Sequence, residues 1–257
     1  MKLYDISQEV FSSSIYPGDP VPERRIISSM EDGALYNLTA FSMCAHNGTH
    51  IDAPAHFLAD GATVDALQLS STVGMAYVAE HSGLLTEKDA ARILLCAEKQ
   101  AKEAAKRILI KGDAVLTEAG ARIFAEAGLL LFGNESQTVG PTDAPMAVHR
   151  LLLGVGMVLL EGIRLSHVPE GCYLLFAASL LLGNTEGAPC RALLAEIEEE
   201  RRGIGFEYQR GSCTNDDGAE NILLLGCRFL EYESTAVPPY SFFKDVGRPT
   251  RCALSKR

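Results

Sequence analysis

The chain is predicted to fold as an α/β domain, and three observations carry that expectation. Two apolar runs of strand length, Arg107-Ile108-Leu109-Ile110 and Leu129-Leu130-Leu131-Phe132, flank a segment with helical spacing. A longer amphipathic segment precedes the first run, and a short helical pattern followed by another apolar run comes after the second. Strand and helix thus alternate, the order that builds a sheet with helices packed on it. At 257 residues and 47% hydrophobic, the chain has apolar material for one large core.

Taken in order, the first third is rich in Gly, Pro, Ser and Asp with short apolar runs, as in Tyr16-Pro17-Gly18-Asp19-Pro20, and reads as strands joined by turns. A helix is expected from Thr86, with Thr86 and Asp89 as a capping pair, and with Ala90, Ile93, Leu94 and Ala97 recurring at helical spacing through the charged stretch to Lys106. Arg107–Ile110 follows as a buried strand. Thr117 caps a second helix through Ala127, with Gly128 as its terminator, and Leu129–Phe132 forms the next strand. Asp143 and Pro145 mark the start of a short helix over Met146–Leu153 that carries His149 and ends at Gly154. Met157–Leu160 is then a strand with Glu161 at its end.

Beyond Arg191 the character changes. Glu196 to Arg202 is a dense charge run, and Asn215 to Glu220 is a polar turn before the apolar stretch Ile222 to Leu225. The expected organisation is one domain over residues 1–197 and a C-terminal extension of unknown role over 198–257.

The formal net charge of −10, with no basic stripe, argues against a nucleic-acid partner. Seven cysteines with no CxxC pair form neither a disulfide framework nor a cysteine zinc site, and read as reduced thiols. The N-terminus has no apolar signal core, and the longest apolar stretches are too short to span a bilayer, so no membrane association and a cytoplasmic location are expected.

The segment His46-Asn47-Gly48-Thr49-His50-Ile51-Asp52-Ala53-Pro54-Ala55-His56-Phe57 carries the chemistry, with three of the chain's six histidines. In an extended strand, His50, Asp52 and His56 project to one side while Ile51 and Phe57 face the core, and Gly48 lets the chain turn so that His46 comes back to them. Neutral imidazole and carboxylate suit zinc, manganese and similar divalent ions, and two His with one Asp leave coordination positions open for water. A helical zinc-protease motif is disfavoured, because Asn47-Gly48 and Pro54 break a helix and position 47 is not Glu.

The string His46-x-Gly48-Thr49-His50-x-Asp52-x-Pro54-x-His56 resembles the signature of the cyclase family that includes bacterial kynurenine formamidases and isatin hydrolases. Pro17-Gly18-Asp19 upstream, His149 and Glu161 downstream, and Gly187-Ala188-Pro189-x-Arg191 fit the same pattern, which covers roughly residues 3 to 197. The resemblance implies a mixed α/β fold with a β barrel-like core and flanking helices, of the swivelling β/β/α type. It implies two divalent metals per subunit, both zinc in preference to manganese: one held by His46, His50 and Asp52, the other by Asp52, His149 and Glu161. It also implies His56 as proton donor and acceptor, a small-molecule substrate, and a homodimer or larger homo-oligomer. One departure bears on the substrate: formamidases of this kind usually carry Trp before Pro-Gly-Asp, and this chain has Tyr16, expected to line the substrate pocket.

The chemistry so implied is hydrolysis of an amide C–N bond by metal-activated water, with an aryl formamidase converting N-formylkynurenine to kynurenine and formate as the leading expectation. Two others stay open at this point: a hydrolase of a cyclic amide or lactone, and a non-catalytic metal-binding protein whose tail fills the cleft. Formate release distinguishes the first from the second, and turnover distinguishes both from the third.

Overall fold

The computed structural model describes residues 1–196 and the backbone of two short strands, Ser212–Thr214 and Glu220–Ile222. The chain divides into two compact units, Met1–Glu200 and Arg201–Arg257. In the second, the two short strands pair antiparallel, with Ser212 opposite Ile222 and Thr214 opposite Glu220. Glu220, expected to close a turn, thus starts a strand; residues 215–219 and the apolar stretch beyond Ile222 lie outside the described residues.

The first unit begins with β1 (Leu3–Asp5), the hairpin strands β2 (Glu23–Ser28) and β3 (Leu38–Ser42), and β4 (His50–Asp52). A single helical turn α1 (Leu69–Thr72), β5 (Val73–Glu80), β6 (Gly83–Leu85), α2 (Glu87–Gln100), β7 (Arg107–Lys111) and β8 (Ala114–Leu116) follow. Then come α3 (Glu118–Glu126), β9 (Leu131–Asn134), α4 (Met146–Gly154), β10 (Val158–Glu161), β11 (Gly171–Phe176), β12 (Gly187–Pro189) and β13 (Leu193–Ala195).

Nine of these strands form one mixed sheet in the order β1-β13-β11-β5-β7-β9-β10-β4-β12. The central run β5-β7-β9-β10 is parallel, as helical crossovers require, and the flanks are antiparallel. Alternation along the strands sorts the core into two clusters. Tyr77, Ala79, Ile108, Ile110, Phe132 and Leu159 meet Ala90, Ile93 and Ala97 of α2, Phe124 of α3 and Leu152 of α4. The intervening residues Ala76, Val78, Leu109, Leu131, Val158 and Leu160 pack on the opposite face with Tyr4, Ile51, Leu175 and Leu194, where the sheet curls round them.

The expected α/β order is present, with shifted boundaries. Thr86 and Asp89 do cap α2, the Thr86 amide donating to Asp89 Oδ2 at 3.0 Å. The helix stops at Gln100 rather than Lys106: Ala101 is extended and a 3-10 turn, Ala104–Lys106, follows, because Ala104 and Ala105 are drawn into the core. β9 starts at Leu131 rather than Leu129, and the Leu130 amide donates to Lys106 O at 2.8 Å at the edge of the ladder. Thr117 caps α3 by accepting from the Gly120 amide at 3.1 Å, and Gly128 turns the chain at φ +70°. The α4 helix and β10 fall within a residue of expectation.

Candidate metal centre

Strand register assembles the site. β4 and β10 run antiparallel with Asp52 opposite Leu159, Ile51 opposite Leu160 and His50 opposite Glu161. Ile51 and Leu160 point into the curled face of the sheet, so His50, Asp52 and Glu161 all project from the other face, towards α4. On α4, His149 lies one turn before Leu152 and Leu153, and all three are buried, which turns the imidazole inward onto the sheet.

His46 arrives by a turn. The Asn47 side chain accepts from the Cys44 amide at 2.7 Å, and Gly48 takes φ +67°, a conformation open to glycine, just before β4. The Thr49 hydroxyl ties this turn to β10 by donating to Gly162 O at 2.8 Å.

His56 reaches the site differently from the strand expected of it. β4 ends at Asp52, and Pro54–His56 forms a 3-10 turn, with Pro at its first position where a missing amide costs nothing. The turn stacks the His56 ring on His46, centroids 4.1 Å apart. Phe57, expected in the core, packs against the core's edge and also walls the site, its ring 4.7 Å from that of His149.

The donor atoms converge on Asp52. Its Oδ1 lies 2.9 Å from His46 Nδ1 and 3.3 Å from His50 Nε2. Its Oδ2 faces His149 Nε2 at 3.7 Å, and it is buried with no hydrogen-bond partner among the described residues. Glu161 Oε1 accepts from the Val139 amide at 2.8 Å and lies 3.2 Å from His149 Nε2, while Oε2 is 3.5 Å from His50 Nε2. Two sets of three result, His46/His50/Asp52 and Asp52/His149/Glu161, in each of which the donor atoms lie within 4.8 Å of one another.

Burial works against charge on all of these groups, and their mutual attraction outweighs it. Desolvation pulls the His50 imidazole down, but the carboxylates of Asp52 and Glu161 reverse this and hold it at about 10. Burial likewise lowers His46 and His149, and Asp52 and Glu161 respectively carry them above the usual imidazole value. Burial raises Asp52, and the His46 and His50 rings bring it well below the usual carboxylate range. His56 behaves in the opposite sense: burial lowers it, the charges of His46 and His149 add to that, and the pull of Asp52 and Glu161 does not offset them.

An orphaned buried carboxylate oxygen between two imidazole-bearing sets fits divalent cations, which accept those lone pairs and remove the cost of burying them. The open side is a cavity of about 240 Å³ lined by Tyr16, Asp19, His56, Phe57, Gln137 and Thr138 among others. All six residues expected at the centre are therefore together, and Tyr16 is on the cavity wall, its hydroxyl donating to Thr142 O at 2.9 Å. Gln137, Thr138 and Glu186 were not expected here. The last lies 3.3 Å from His46 Nε2, and its one sequence cue was its place immediately before Gly187-Ala188-Pro189.

A mixed sheet that delivers imidazoles and carboxylates to one buried point beside an open cavity defines a class, the metal-dependent hydrolases. The comparisons narrow it. The family described as "Putative cyclase" matches residues 4–159. The kynurenine formamidase of Salinibacter ruber is 32% identical over 219 residues, spanning 77% of this chain and 100% of that protein. Among solved structures, one described as a "predicted metal-dependent hydrolase from Bacillus stearothermophilus" superposes with a TM-score of 0.63 at 27% identity, covering 75% of this chain and 97% of the other. Isatin hydrolase A from Labrenzia aggregata shares the fold, with a TM-score of 0.63 at 22% identity over 75% of this chain and 93% of its own. The chain belongs to the Cyclase family.

Proposed function

We propose that the protein is an aryl formamidase that hydrolyses N-formylkynurenine, or a closely related N-formyl aniline, to the free aniline and formate. The observation that carries this reading is the position of Asp52, whose two oxygens face two different sets of donors. Similarity to kynurenine formamidases over three quarters of the chain supports the substrate class.

In this reading His46, His50 and Asp52 hold one divalent ion, and Asp52, His149 and Glu161 hold the second, with zinc favoured over manganese. Bound ions of this kind supply Lewis acidity and bring the pKa of water towards about 7. The chain's residues do the rest. His56, held low by burial, is neutral near pH 7 and accepts the proton of the attacking water, then returns it to the departing aniline nitrogen. Phe57 and the carbons of Tyr16 flank the aryl ring and exclude water. The smaller Tyr16 in place of Trp leaves room on that wall, and its hydroxyl is occupied by Thr142 O.

Residues 1–197 form the hydrolase domain in this reading, and 198–257 are an extension of unassigned role. The protein acts in the cytoplasm and as a homodimer. In support of the latter, the β2–β3 hairpin exposes Ile26, Phe41 and a 94% exposed Leu35, apolar surface of the kind a second copy covers. Among the described residues, no helix is long and apolar enough to cross a membrane.

The test is formate release from N-formylkynurenine by zinc-loaded protein, with His50→Ala as the control. Formate produced by the wild type and abolished in the variant supports the reading. Fully metallated protein that is inert on every N-formyl aniline, or that opens a cyclic amide without releasing formate, contradicts it.

A further inference from the structure

The three imidazoles aimed at Asp52 are each held from behind at their other ring nitrogen. For two of them the anchor is main chain: His50 Nδ1 donates to Gly48 O at 3.0 Å, and His149 Nδ1 donates to Pro145 O at 2.9 Å. A carbonyl only accepts, so each of these rings keeps a proton on Nδ1 and turns Nε2 to the carboxylates. His46 is reversed. Its Nδ1 faces Asp52 Oδ1 at 2.9 Å, and its Nε2 lies 3.3 Å from Glu186 Oε1.

We propose that Glu186 is the outer anchor of His46, a positioning residue whose carboxylate accepts a hydrogen bond from Nε2 and so leaves the Nδ1 lone pair for a divalent cation. The inference rests on the metal-centre reading above and extends it to a residue 140 positions from its partner.

Local structure holds both ends of this contact. The Glu186 carbonyl accepts from the Ala53 amide at 2.9 Å, and Gly187 opens β12 directly opposite Asp52. A Cβ at position 187 would come within 2.5 Å of His46 Cε1, so the ring lies against bare backbone and Glu186 is the next side chain along. The strand pairing that places Asp52 thereby places the anchor too. Of the three anchors, Glu186 alone is a side chain and alone is charged; it fixes the ring's tautomer and makes the opposite nitrogen a better donor to a cation. Its side chain is 46% exposed, so its loss acts on the centre rather than on the fold.

The experiment titrates full-length, chelator-stripped protein with zinc alone, in competition with a chromophoric chelator, and compares wild type with Glu186→Ala and Glu186→Gln. Wild type takes two equivalents. Glu186→Ala weakens one of them by about 10–100-fold and leaves the other and the metal-free urea midpoint unchanged, with Glu186→Gln, which keeps a neutral acceptor, in between. Nitrogen-15 spectra of the zinc-loaded wild type show His46 protonated at Nε2, and that signature is lost in Glu186→Ala. Unchanged affinity for both equivalents in Glu186→Ala overturns the inference. Outright loss of an equivalent in Glu186→Gln also overturns it, by making Glu186 a ligand. Wild-type protein that takes up no zinc removes both this inference and the reading beneath it.

Discussion

His50 and Glu161 stand directly opposite each other on antiparallel strands, and their side chains meet with Nε2 and Oε2 3.5 Å apart on the face turned to α4. One ladder register therefore sets the spacing between a residue of one donor set and a residue of the other. Slipping β4 by one residue against β10 would send His50 and Asp52 into the apolar interior and leave Glu161 without them. The consequences below follow from that shared frame.

Asp52 serves both sets, so its substitution is expected to reach both. In Asp52→Asn, two zinc equivalents fall to one or none, and kcat/KM drops by at least about 10³-fold. Metal analysis beside kinetics checks this, and a fully active variant with two equivalents would refute the shared role.

Among the described residues, no hydrogen bond ties the His56 ring to another donor, and it should act on protons alone. His56→Ala is expected to lower kcat by about 10²–10⁴-fold with zinc content unchanged. The wild-type acid limb of kcat/KM, where the imidazole becomes protonated and cannot accept a proton, should fall below the ordinary value of about 6.5, because burial lowers His56. That limb disappears in the variant; its persistence at the same pH would assign it to another group.

Gly162 follows Glu161 at φ +68°, and a Cβ there would lie 2.3 Å from Gly48 O. Gly162→Ala is expected to destabilise the fold by about 1–3 kcal/mol, read from urea denaturation, and to weaken metal retention with it. An unchanged midpoint would mean that the turn relaxes without disturbing the Thr49 bond to Gly162 O or the Gln137 bond to Gly48 O.

Protonation of the metal-free centre has a definite sign. His50, raised to about 10, stabilises the fold fully below its unfolded value of about 6.5, and that contribution is lost as pH rises towards 10. Asp52 and Glu161, both lowered, stabilise above their unfolded values of about 4 and lose this as pH falls. With chelator present, the urea midpoint should therefore peak between about pH 4.5 and 6.5. Zinc binding at pH 7 should release protons, detectable by calorimetry in buffers of different ionisation enthalpy; a midpoint that climbs steadily to pH 10 would contradict the assignment.

Much of this centre was readable before any fold was known, because His46, His50, Asp52 and His56 crowd into eleven residues. His149 and Glu161 were readable only through the family pattern, since one helical His and one strand-end Glu are ordinary by themselves. Only its place before Gly187-Ala188-Pro189 marks Glu186, and nothing local pairs it with His46: the contact is made by β12 pairing with β4, a long-range event. The fold shows the same division. Capping residues such as Thr86 and Thr117 marked helix starts correctly, being local chemistry. The end of α2 was missed because Ala101 to Lys106 has good helix-forming residues, and tertiary burial of Ala104 and Ala105 overrides that preference. Alternation alone puts His56 on an extended strand, yet Pro54 starts a turn that swings it over His46 instead.

The central claim is that Asp52 is shared between two cations. Crystals of zinc-loaded protein measured at the zinc absorption edge test it directly. The account predicts two anomalous peaks, one within about 2.0–2.2 Å of each Asp52 carboxylate oxygen, the first beside His46 and His50 and the second beside His149 and Glu161. A single peak, or peaks that leave Asp52 uncoordinated, would contradict it.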